Sequence, residues 1–120
     1  MVLTGAAPVL SVSDLPAALS FYEQALGFEV TFRWGEPVTY ACLCRDEVQL
    51  HLAAASLTGK APGQGQLCLF VRDVDAIHAE LAGRGATILK PPHTYDYGMR
   101  EFDLLDPDGN RLIYGAAASP

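Results

Sequence analysis

Leu15, Ala18, Leu19, Tyr22, Ala25 and Leu26 recur at intervals of three and four, the spacing that gathers apolar side chains on one face of a helix. The run starts behind Asp14, an N-cap residue whose side chain accepts from the free amides of the first turn. Pro16 falls in that first turn, where a missing N–H is harmless, and Gly27 supplies the left-handed residue that ends the helix. A short apolar run around Val9–Val12 precedes it and has strand character. Beyond Gly27 the period drops to about two: Phe28, Val30, Phe32 and Trp34 alternate with Glu29, Thr31 and Arg33, which predicts a strand with one buried face. Turns at Gly35-Glu36-Pro37 and Arg45-Asp46-Glu47 set off two further strands, Val38–Cys44 and Val48–Leu52.

The same order returns later in the chain. The apolar run Leu67–Val71 meets Asp73, and Val74, Ile77 and Leu81 mark one helix face that ends at Gly83 or Gly85. Thr87–Leu89 is then a strand, Lys90–Met99 a long loop, and Arg100–Leu105 and Arg111–Tyr114 a hairpin about the turn Asp106-Pro107-Asp108-Gly109. Two copies of strand–cap–helix–Gly followed by strands are an internal repeat. The expectation is an α+β protein of tandem βαβββ modules forming a concave mixed sheet. Module 1 covers about 6–52, a Ser-, Pro- and Gly-containing linker about 53–65, and module 2 about 66–115, within one domain spanning 1–120.

At 120 residues, with half of them hydrophobic, such a chain buries about two-thirds of its unfolded surface and needs no disulfide or structural metal. Fourteen acidic against 8 basic side chains give a formal charge of −6. That balance argues against nucleic acid, whose binders present a basic stripe, and suits a cationic ligand. No apolar run approaches the roughly eighteen residues that span a membrane, and Met1–Leu10 lacks the charge pattern of a secretion signal. The odd trio Cys42, Cys44 and Cys68 is a poor disulfide framework, so a cytoplasmic protein with small buried thiols is expected.

Three stretches together resemble the vicinal oxygen chelate superfamily, over residues 6–115: Val12-Ser13-Asp14-Leu15 with Phe21-Tyr22 and Leu26-Gly27-Phe28, then Arg100-Glu101-Phe102, then Asp106-Pro107-Asp108-Gly109-Asn110. That superfamily includes glyoxalase I, extradiol dioxygenases, fosfomycin resistance enzymes and bleomycin resistance proteins. Ala7-Pro8-Val9-Leu10, the stretch Asp46–Leu52 and the closing hairpin look most like the last of these. Enzymes of the superfamily hold a divalent metal through His and Glu at four strand positions. Carried over individually, those positions hold Ala7, His51, Gln66 and Ile113, so the resemblance implies no metal, no cofactor and no catalytic residue here. Metal loss removes the means of stabilising enolates and oxyanions. His78 on the second helix and His93 in the long loop read as ordinary surface or partly packed residues. Glu101 and Asp103 read as the polar face of a hairpin beside Arg100 and Arg111.

What remains is a groove lined by strands. Phe32 and Trp34 fall on one face, with Tyr40, Gln49 and His51 on neighbouring strands and Tyr95 and Tyr97 on the long loop. Aromatic faces stack planar heterocycles and attract cations, although alternating aromatics in a strand also serve as core. The resemblance places Phe32, Tyr40 and Tyr97 along a drug groove. It further implies a homodimer in which the first strand crosses to the partner, held extended by Pro8. The expected function is metal-free binding of a small molecule, with resistance to a bleomycin-type antibiotic by sequestration. The alternatives are a metal-dependent glyoxalase- or dioxygenase-like enzyme and a binder of another natural product. An insertion around Arg33–Pro37, and Cys68 and Leu69 in place of bulky aromatics, depart from the pattern.

Overall fold

Both Asp-capped helices form where the spacing puts them. In the computed structural model, which describes residues 1–118, α1 runs Leu15–Gln24 and α2, a single turn, Ala55–Thr58, while α3 runs Val74–Gly83. The Asp14 carboxyl accepts from the Ala17 amide at 3.2 Å and Asp73 from Ala76 at 3.0 Å, so one capping device opens both long helices. The described strands are β1 Val9–Val12, β2 Glu29–Trp34, β3 Tyr40–Arg45, β4 Val48–Ala54, β5 Gln66–Phe70, β6 Thr87–Thr94, β7 Met99–Leu105 and β8 Arg111–Ala117. They make two four-stranded mixed sheets, ordered β1-β4-β3-β2 and β5-β8-β7-β6. In each, the first pair is parallel and the rest antiparallel.

Each sheet turns one face, its back, to a helix. Leu10, Val12, Ala41, Leu43, Leu50 and Leu52 line the back of the first; Leu69, Phe102, Leu104, Leu112 and Tyr114 line that of the second. All belong to one buried cluster. A polar knot fastens the modules beside it. Asp106, buried at the β7–β8 turn, accepts from the Tyr22 hydroxyl of α1 at 2.9 Å and from Asn110 Nδ2 at 2.8 Å, and also from the amides of Asp108 and Asn110. Asn110 Nδ2 donates in turn to the Ser11 carbonyl, and its Oδ1 accepts from the Gly65 amide. Burial, then Asp106, pushes the Tyr22 hydroxyl up, so it stays a donor.

Four expectations need correction. Lys90–Met99 is not a long loop: β6 continues to Thr94, carrying His93 within it, and the chain reverses over 95–98. Pro91 and Pro92 hid this strand, because proline breaks a central ladder. β6 is an edge strand whose register shifts between Ile88 and His93, where prolines are tolerated. The linker reading also started too early, since Ala53 and Ala54 belong to β4 and α2 follows directly. β3 begins at Tyr40 rather than Val38. Finally, the cysteines are not a buried set: Cys42 and Cys44 are half-buried and Cys68 is exposed. All three point away from the helix-covered core, a consequence of strand parity. Among the described residues, no helix is long and apolar enough to cross a membrane.

Candidate functional site

The fronts of the two sheets, the faces turned away from the helices, carry most of the chemistry. Strand parity decides which residues stand there, and in β2 a bulge decides it. Val30 pairs with Leu43 on the back, but the register shifts before Phe32, which pairs with Cys42, and Trp34 pairs with Tyr40. One extra residue reverses the facing of everything beyond it. The strictly alternating strand expected over Phe28–Trp34 is therefore split. Phe28 and Val30 join the core, while Phe32 and Trp34 stand on the front, 51% and 57% exposed. Arg33 now faces the helix side and lies 3.9 Å from Glu23 of α1.

Across the first sheet the front reads in rows. Val9, His51, Cys42 and Phe32 make one, Ser11, Ala53, Tyr40 and Trp34 the next. Gln49 lies opposite Cys44 on the same face. Tyr40 and His51 are joined side chain to side chain, the hydroxyl 2.7 Å from Nδ1, with the rings edge to face. Burial, then Cys42, raises the Tyr40 hydroxyl, which keeps its proton available to the imidazole. The five expected residues of module 1, namely Phe32, Trp34, Tyr40, Gln49 and His51, thus share one face. The N-terminal segment Thr4–Ala7 passes one end of it and, with Glu47, Gln49 and His51, borders an open hollow of about 480 Å³. The Pro8 carbonyl accepts from the His51 amide at 2.9 Å, and β1 pairs with β4 of its own chain.

Tyr95 and Tyr97 belong to the other sheet. They sit at the β6–β7 turn with their rings stacked, 5.2 Å apart and 6° from parallel, and His93 packs edge-on against Tyr95 at 4.7 Å. The carboxylates that the sequence marks as a polar hairpin face stand beside them. Glu101 accepts from the Tyr97 hydroxyl at 2.6 Å, and this bond, then desolvation, pushes the hydroxyl up to about 12. Asp103, buried on the same strand face, is taken by Arg111, whose Nε donates at 2.8 Å and whose Nη2 also donates. Arg100 instead turns away to Asp75, 2.8 Å from it, and His78 packs edge-on against Phe102. The Glu101–Asp103 pair was legible as a polar strand face. What was not legible is that their partners differ.

A larger groove, about 710 Å³, lies elsewhere, between the β3–β4 turn and the start of α3, with Arg45, Val48, Leu69, Ile77 and Glu80 among its walls. It contains none of the expected site residues.

The four superfamily metal positions fit no ion in this chain. Ala7 and Ile113 have no donor atom, Gln66 offers only an amide, and His51 is left as the one strong ligand, too few to hold an ion. Among the described residues there is no group of three or more His, Cys, Asp or Glu side chains that could hold a metal.

Comparison with known proteins matches this architecture. A crystal structure of a glyoxalase/bleomycin resistance protein/dioxygenase superfamily member from Sphaerobacter thermophilus is 30% identical, with TM-score 0.80, over 94% of this chain and 97% of that one. The bleomycin-binding protein of bleomycin-producing Streptomyces verticillus, solved with copper(II)-bleomycin, is 28% identical at TM-score 0.78 over 100% and 99%. The virulence protein STM3117 of Salmonella typhimurium is 29% identical over 113 residues, 87% of this chain and 77% of that protein. A family model matches residues 6–114, and the chain belongs to the Glyoxalase/Bleomycin resistance protein/Dioxygenase superfamily.

Proposed function

We propose that this protein binds a planar, ring-bearing small molecule on its sheet fronts and acts by sequestration, without chemistry, on a bleomycin-type antibiotic. The observation that carries the reading is the reversal at β2. A buried aromatic side chain contributes on the order of 2 kcal/mol to a core, yet the bulge holds Phe32 and Trp34 out on the front, beside the Tyr40–His51 pair. Rings presented this way are suited to stacking on a flat heterocycle. The likeness to the copper(II)-bleomycin-bound protein of Streptomyces verticillus supports the choice of ligand. Binding without catalysis agrees with a donor set that holds no ion.

The same proposal includes a cytoplasmic homodimer of a single domain spanning 1–120. In it the N-terminal segment exchanges at Pro8 and two symmetric sites are completed between subunits, with Gln49, Tyr95 and Tyr97 among their walls. An open front is half a cup, and Val9, Phe32, Trp34, Phe70 and Tyr97 are all about half exposed or more, which is apolar surface a partner copy would cover.

Calorimetric titration of the metal-stripped protein with bleomycin, metal-free and copper-loaded, tests the reading. Sub-micromolar binding at one site per subunit is expected, weakened at least about tenfold in Trp34→Ala, as loss of a stacking anchor implies. No heat with either form removes bleomycin as the ligand.

A further inference from the structure

The second sheet's front holds a carboxylate in an unusual setting. Phe70, Gly115, Glu101 and His93 form one row across β5, β8, β7 and β6. Glu101 lies flat over Gly115: a β-carbon at that glycine would come within 3.0 Å of Glu101 Cγ and 3.5 Å of its Oε2. Its Oε1 is tethered by the Tyr97 hydroxyl at 2.6 Å. Among the described residues, none donates to Oε2. On one side stand the stacked rings of Tyr95 and Tyr97; on the other, across the glycine, stands Phe70, 76% exposed. The nearby cations do not neutralise it: Arg111 is taken by Asp103, Arg100 by Asp75, and Lys90 stands in the next row at the far edge.

We infer that Glu101, Tyr97 and Phe70 form a binding subsite for an organic cation, an ammonium, sulfonium or amidinium group carried on an apolar body. The glycine makes the space. The tether fixes the carboxylate, and the aromatic faces supply the ring attraction that a poorly hydrated cation finds on such surfaces. Complementarity extends to the whole chain, whose formal charge is −6. The subsite rests on the proposal that the sheet fronts take a small molecule, and it adds which end of that molecule the second sheet reads. The fronts therefore divide the work: the first sheet takes the ring, the second the charge.

The test uses the full chain and two probes that share a benzyl group, benzyltrimethylammonium and benzyl alcohol, followed by the side-chain NMR resonances of Tyr97, Phe70 and Trp34. The cation is expected to bind about tenfold or more tighter than the neutral alcohol, a gap in the range of cation–aromatic contacts beside a carboxylate. Its shifts should centre on Tyr97 and Phe70. Glu101→Gln should abolish the preference, and Phe70→Leu should reduce it without changing the spectrum elsewhere. Equal affinity for the two probes, or an unchanged preference in Glu101→Gln, overturns the subsite. Bleomycin calorimetry separates the two ideas. Cation preference without bleomycin binding leaves the subsite standing and changes the ligand. Bleomycin binding unaffected by Glu101→Gln, with no cation preference, leaves the stacking reading and removes the subsite.

Discussion

The front of the first sheet and the front of the second are built on the same strand order, yet they carry different chemistry. The first presents rings, a half-buried pair of thiols and a Tyr40–His51 pair, with Glu29 at its margin opposite Cys44. The second also carries rings, Phe70, Tyr95 and Tyr97, but sets them about Glu101 held by Tyr97, beside a buried Asp103 bound by Arg111, and Lys90. The backs show no such divergence: both are leucine-rich and both are covered by a helix with an Asp cap. A repeated backbone thus keeps what packing requires and varies what faces outward. The fold is a shared scaffold, and the fronts are where function can differ.

The largest expected effect breaks the seam between the modules. Asp106→Ala strips acceptors from Tyr22, Asn110 and two backbone amides, all at one buried point. It should cost about 3 kcal/mol or more, because buried donors are left unpaired. Urea unfolding will show this as a lower midpoint. A loss under about 1 kcal/mol would mean that the Asp106 hydrogen bonds contribute little to holding the two modules together.

A smaller contrast lies within β7, between two carboxylates on one face. Asp103→Ala uncovers Arg111 from its buried partner and should destabilise by about 2–3 kcal/mol, reduced from the fully buried case because Arg111 is partly exposed. Glu101→Gln should stay within about 0.5 kcal/mol, as a partly exposed change away from the core does. Equal losses would make Glu101 a structural residue and weaken its assignment to a ligand. The smallest effect tests the symmetry of the repeat. Asp14→Ala and Asp73→Ala should each cost about 1 kcal/mol, the usual worth of an N-cap. A marked inequality in thermal unfolding would show that one module depends on its helix more than the other.

Much of the architecture was legible because it rests on local rules. The three-and-four spacing behind Asp14 and Asp73, the closing glycines and the Asp-Gly turn each encode one short-range preference. The repeat made each module evidence for the other. The second module's third quarter was not legible, because Pro91 and Pro92 read as a loop until the strand is known to lie at a sheet edge. Of the candidate site, Gln49 and His51 followed from parity alone. Phe32 and Trp34 carried two readings, core or groove, that no pattern could separate.

The sequence by itself determined the order of the long elements, the two capped helices and the back faces, since each depends on residue type at fixed spacing. Tertiary structure alone decided the rest. The bulge in β2 is a property of its pairing with β3, and it sends Phe32 and Trp34 outward. Asp103 finds Arg111 on the neighbouring strand, and Asp106 finds Tyr22 in the other module, 84 residues away in the chain. Hydrogen bonds and charges act through space, and only the folded register says which groups come within reach of one another.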